Sequence, residues 1–268
     1  MLFGLLRAPA RIRVTVAYAA VLAGVTTVLM ALDPRTQGRI VSHASTNLHN
    51  LSHGHVGTLF VSAFVVDAGP IYMWLPGLVC LLAIAELMWR SRRLVVAFAV
   101  GHVGATLLVA VGLTAAVESG WLSTDITRAT DVGMSYGASA VLGSLTAAIP
   151  RRWRPAWTGW WVTVAVAVVV LGEDFTAAGH AAALMLGMAV ATRFGDPARW
   201  TPLRFVLLGA GAGFGFLMLA GSGMTLILAT VTGLLGAALA EGLVGRRRAR
   251  EKTPQPAGTA CALSPGVA

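Results

Sequence analysis

Asp131-Val132-Gly133-Met134-Ser135-Tyr136-Gly137 and Gly179-His180-Ala181-Ala182-Ala183 each lie about one helical turn inside the same end of a different apolar segment. A hydroxyl and an imidazole set in hydrocarbon are costly and tend to mark function. Their meaning turns on whether the two segments cross a bilayer and whether they enter it from the same side.

Composition answers the first question. Of 268 residues, 56% are hydrophobic and only 12% charged, with mean hydropathy +0.75. That lies far from the balance of a soluble domain. Apolar runs near the ~20 residues needed to cross a bilayer recur along the whole chain. The expectation is an all-α, polytopic membrane helical bundle with the lipid bilayer as its partner. The net charge of +9 does not point to nucleic acid, because the basic residues separate apolar segments and do not share one face. Lys252 is the one lysine among 20 basic residues; with so much Ala, Gly and Val, this suggests a GC-rich bacterial gene. Cys80 sits in an apolar segment and Cys261 in a polar stretch, so neither a disulfide framework nor a CxxC site is available.

Eight spans are read, at 13–32, 71–90, 94–116, 131–149, 156–172, 175–192, 203–220 and 223–243. Pro150, Pro155 and Pro202 stand at boundaries, where a missing N–H does least harm. Gly221-Ser222-Gly223 breaks the last long apolar stretch into a hairpin. With the N-terminus inside, 17 of the 20 basic residues fall in inside segments. The three outside are Arg35, Arg39 and Arg128. This is the positive-inside pattern, and it predicts two cytoplasmic termini. Residues 33–70 form an outside loop too long for a plain connector. Its apolar stretch from Val56 to Val66 is too short to span and reads as interfacial or re-entrant. Residues 246–268, charged and then rich in Pro, Gly and Ala, read as a disordered cytoplasmic tail after a transmembrane domain of residues 1–245.

The two opening stretches then enter from the same side. Counted from Asp131, Ser135 is the fifth residue in, and counted from Phe175, His180 is the sixth. At ~1.5 Å per residue both lie roughly 6–9 Å below the outer boundary. A serine and a histidine at one depth are the minimum for nucleophilic hydrolysis, the imidazole taking the hydroxyl proton. The bland alternatives are a serine bonded to the carbonyl one turn back and a histidine satisfied within the bundle. Ser139, one turn deeper on the same face, is the alternative nucleophile. Glycines at 133, 137 and 179 allow close helix approach.

These features resemble the rhomboid family of intramembrane serine proteases, across roughly residues 55–193. Gly133-Met134-Ser135, with Gly143 eight residues on, is similar to the family's serine motif on its fourth helix. His180, followed by Ala182, Ala183 and Gly187, is similar to its histidine helix. Ser62-Ala63-Phe64, Glu86 and Arg90-Ser91-Arg92-Arg93 look like the family's first loop and the cytoplasmic end of its second helix. The resemblance implies a six-helix rhomboid-like core with extra C-terminal helices. It also implies Ser135 and His180 as a catalytic dyad, no cofactor or metal, and transmembrane proteins as substrates or clients. Two departures accompany it. Tyr136 follows Ser135 where the family has Gly, whereas Gly137-Ala138-Ser139-Ala140 matches the family string about as well. The family's His-x-x-x-Asn is replaced by Ile71-Tyr72-Met73-Trp74-Leu75-Pro76. Asn50, His55 and Tyr136 are left as candidate oxyanion or supporting groups. A rhomboid fold that binds transmembrane helices without cleaving them is the second reading. A small transporter is the third, although the paired broken helices and midplane charges it needs are almost wholly missing.

Other constellations read as structural. His43, His49, His53 and His55 have no established metal-site spacing. His102 is expected to be hydrogen-bonded within the bundle. Glu86 and Arg90, at i and i+4, are expected to pair. Gly209, Gly211, Gly213 and Gly215 are expected to form a smooth packing face.

Overall fold

Away from water a chain can satisfy its backbone within helices, and the residues described here contain no strand. The computed structural model describes residues 11–66, 71–172, 174–221 and 223–252. Its helices are α1 (Arg13–Met30), α2 (Pro34–Ala44), α3 (Leu48–Ser52), α4 (Thr58–Val61), α5 (Ile71–Glu118), α6 (Ser135–Ser144), α7 (Arg154–Leu171), α8 (Phe175–Ala191), α9 (Pro202–Ala220) and α10 (Met224–Lys252). Five of them are long and apolar enough to cross a membrane. The protein is a polytopic helical bundle.

A straight helix of 48 residues would be about 72 Å long, more than twice the hydrocarbon thickness. Instead α5 breaks at Arg90, whose backbone is left-handed (φ 67°), into limbs at 71–89 and 91–118. Contacts with α1 fix their directions. Thr15 meets Glu86 while Thr27 meets Tyr72, so α1 runs antiparallel to the first limb. Tyr18 packs on Phe98 and Val21 shares a cavity wall with His102 and Val103, so α1 runs parallel to the second. The two limbs are therefore the predicted second and third spans. Glu86 does not pair with Arg90. Its buried carboxylate accepts from Val14 N (3.1 Å), Thr15 N (2.9 Å), Thr15 Oγ1 (2.7 Å) and Ser91 Oγ (2.6 Å). It caps the first turn of α1, where free N–H groups favour an anion, while Arg90 is exposed.

The outer loop is built, not slack. Asp33 caps α2 by accepting from Arg35 N and Thr36 N, and Tyr18 Oη donates to Ala63 O at 2.6 Å. Val56–Val66 turns through α4 and a 3-10 turn at Ser62–Phe64, with the N–H groups of Val56, Thr58, Leu59, Phe60, Val61 and Val65 donating to backbone carbonyls.

The fourth span begins four residues later than its apolar pattern suggests. Asp131 and Gly133 are tied to the loop: Thr46 N donates to Asp131 O (3.0 Å), and Gly133 N donates to Ser62 O (2.9 Å). Gly133 has φ 119°, which only glycine adopts freely. The helix therefore starts at Ser135. At ten residues α6 is too short to cross a bilayer unaided, but residues 136–144 are all buried, so it is enclosed by protein. Below it, Arg154 Nη2 donates to Ala147 O and Trp200 Nε1 to Ala148 O.

The glycine run packs on alternate members only. Gly211 lies against Leu81 and Gly215 against Leu142, while Gly209 and Gly213 face open space. Gly221 and Gly223, both at positive φ, flank the break between α9 and α10. Helix α10 continues to Lys252, so the stretch read as a tail from 246 begins as helix; residues 253–268 lie outside the described residues.

Candidate functional site

The seam between α6 and α8 is built on glycines. A Cβ on Gly187 would fall on the backbone of Ala140, and one on Gly143 on the backbone of Leu184. Such spacing lets two helices approach backbone to backbone. Above these contacts the Tyr136 ring packs over Gly179 and meets the His180 ring edge-on, with centroids 5.3 Å apart.

This seam locates Ser139. Tyr136, three residues before it, contacts Gly179 and His180; Gly143, four residues after it, contacts Leu184. With Ala140 on Gly187 as well, Ser139 sits about one turn below His180. Ser139 is fully buried, and neither its Oγ nor His180 Nε2 has a hydrogen-bond partner among the described residues. Buried polar atoms are nearly always paired, so two orphans on neighbouring helices call for an explanation. Ser135 is half-buried at the first position of α6.

The other candidates part company here. The Asn50 amide donates to Ser42 O (2.9 Å) and Ser45 O (2.8 Å), so it braces the outer loop and has no N–H left to offer an oxyanion. His55 is exposed on that loop. Tyr136 is buried against His180 as a supporting group. Asp131, half-buried before α6, has its carboxyl pushed up to about 6 by desolvation. His102 is held within the bundle, its Nε2 3.1 Å from Ser62 Oγ. The sequence did not reveal that pairing, because the partners are 40 residues apart and Ser62 lies in an irregular segment. His49 and His53 stack at 4.3 Å, and among the described residues no three His, Cys, Asp or Glu side chains converge on a metal site.

A family model described as a rhomboid-like protein matches residues 8–194. The chain belongs to the rhomboid-like family. The match starts before α1 and ends just after α8, so it holds both helices of the seam and leaves α9 and α10 outside. No curated protein and no solved structure matches the chain. Within the rhomboid-like part, the seam brings His180 together with Tyr136, while Asn50 and His55 belong to the loop.

Proposed function

We propose that this rhomboid-like membrane protein is an intramembrane serine protease, with His180 as base and Ser139 as nucleophile in preference to Ser135. One observation carries the reading: two unpartnered buried polar atoms, Ser139 Oγ and His180 Nε2, lie on neighbouring helices packed backbone to backbone. Ser139 Oγ would attack the scissile carbonyl as His180 takes the hydroxyl proton. His180 would then protonate the leaving amine. Water, deprotonated by the same imidazole, would hydrolyse the acyl ester and restore the serine. The distribution of basic residues supports two cytoplasmic termini and a site opening on the outer side. The partners on this reading are transmembrane segments of other proteins.

A second reading, a rhomboid-like protein that binds transmembrane helices without cleaving them, draws on the oxyanion donors. No Asn opens α5, and the Asn50 amide is committed to the loop. One missing donor costs about 10²–10³ in rate. Cleavage of a transmembrane reporter in vesicles separates the two. Activity abolished by Ser139→Ala and by His180→Ala supports the protease. Reporter that is co-purified but never cut by folded wild-type protein supports the binder.

A further inference from the structure

Ala17 and Val21 of α1, and Val95, Ala99 and Val103 of the α5 limb at 91–118, repeat at helical spacing, so each set lies along one face. With Leu59 and Phe60 of the outer loop they line a groove of about 500 Å³. Its two lining residues with polar atoms turn them to the protein: Tyr18 Oη donates to Ala63 O, and His102 Nε2 lies 3.1 Å from Ser62 Oγ. An apolar space of this size takes hydrocarbon and not water. Its length is that of one leaflet. The lining runs from Val14 to Val21 on α1 and from Leu94 to Val103 on the limb, roughly 10–14 Å at the helical rise. Half of the ~30 Å hydrocarbon thickness is about 15 Å. A lipid chain fits that length, whereas a helix crossing the bilayer needs about twice as much.

The end at Val14 and Leu94 carries charge. Arg13 stands four residues before Ala17 and Arg92 three before Val95, so both continue the faces that line the groove. Both are exposed. One carboxylate ties their segments together, because Glu86 accepts from Val14 N and from Ser91 Oγ, the residues next to the two arginines. Glu86 is itself buried and accepts four hydrogen bonds, which leaves exposed guanidinium charge at the mouth.

We propose that this groove binds one anionic phospholipid, an acyl chain lying between α1 and the second limb of α5 and the headgroup phosphate meeting Arg13 and Arg92. Guanidinium groups pair with phosphate oxygens at two points, and an anionic headgroup keeps the net charge that a zwitterionic one cancels. The groove shares no lining residue with the α6–α8 seam, so the proposal does not rest on the protease reading.

Native mass spectrometry of protein equilibrated in micelles with equal phosphatidylglycerol and phosphatidylcholine reads the occupant. Wild type should retain one phosphatidylglycerol per chain. Ala17→Trp and Ala99→Trp fill the groove from its two walls. Each should lower retention by about tenfold or more, since displacing two chain methylenes already has that effect. Val96→Trp and Val100→Trp add the same ring at exposed positions of the limb outside the groove and should retain the lipid. Arg13→Gln and Arg92→Gln should each lower the preference for phosphatidylglycerol about fivefold, the worth of one basic residue at an anionic surface. A phosphatidylglycerol with a diazirine at its chain end needs no substitution in the protein: its adducts should map to residues 59–64 and 99–103. Unchanged retention in both groove-filled variants, equal retention of the two lipids by wild type, or adducts confined to other segments overturns the proposal. A second copy of the chain held by wild type and lost in Ala99→Trp also overturns it. So does lipid taken up only after residues 1–10 are removed, which would give the groove to the chain's own N-terminus.

Discussion

Gly187→Ala tests the seam on which the site is built. The added Cβ would lie on the carbonyl oxygen of Ala140, 2.6 Å from its carbonyl carbon and 2.7 Å from its Cα. Carbon atoms pack best at about 3.5–4.0 Å, so α6 and α8 must separate by roughly 1 Å locally. The obstructing atoms are backbone, and no rotamer change relieves them. A gap of that size forfeits up to about half the dispersion energy of the contacts it opens, and overpacking itself costs about 1–3 kcal/mol. A loss of about 3 kcal/mol is expected, read from reversible unfolding in mixed micelles titrated with sodium dodecyl sulfate. Gly209→Ala and Gly213→Ala add the same methyl where nothing lies within 4 Å, and should change stability by less than about 0.5 kcal/mol. A Gly187→Ala protein as stable as these controls would refute the close α6–α8 seam.

Three further outcomes concern Glu86, Arg90 and Asp131. Glu86→Gln replaces an anion that accepts four hydrogen bonds, and should destabilise the protein by about 3 kcal/mol in the same titration, since bonds to charged groups are worth about 1.5–3 kcal/mol each. Arg90→Gly should be neutral or stabilising, because it removes an exposed side chain from a left-handed backbone; destabilisation equal to that of Glu86→Gln would restore the ion pair. Asp131 links stability to pH. Its folded pKa of about 6 is raised above the usual 3.8, so its contribution is fully present below the usual value and lost as pH rises through about 6. Wild type should unfold less readily at pH 4 than at pH 7.5, by at most about 3 kcal/mol, and Asp131→Asn should flatten that difference.

Hydropathy and charge made the helices legible. The span boundaries at 13, 71, 175 and 203 fall within two residues of the helices found, because Pro and Gly punctuate the chain there. The positions that misled are those where tertiary contacts override local pattern. Asp131–Met134 is as apolar as the helix it precedes, but hydrogen bonds from Thr46 and to Ser62 hold it in the loop. That four-residue difference leaves Ser135 half-buried at the first position of α6 and Ser139 fully buried inside it. Glu86 and Arg90 have the spacing of an ion pair, yet the backbone reverses at Arg90, and the free N–H groups of α1 are the better partner for the carboxylate. Asn50 seemed free to move to the site because a sequence does not show that its amide is already bonded twice. His180 was legible from one costly residue in an apolar run, and its neighbour Tyr136 was legible only as a departure from a motif.

Which serine reacts is decided by chemical labelling. Purified protein in micelles should be treated with a fluorophosphonate probe and the adduct located by peptide mapping. The adduct should fall on Ser139, survive Ser135→Ala, and vanish in Ser139→Ala and His180→Ala proteins that unfold at wild-type denaturant concentrations. An adduct on Ser135, or none in folded wild-type protein, would contradict the assignment of Ser139 and His180 as a catalytic pair.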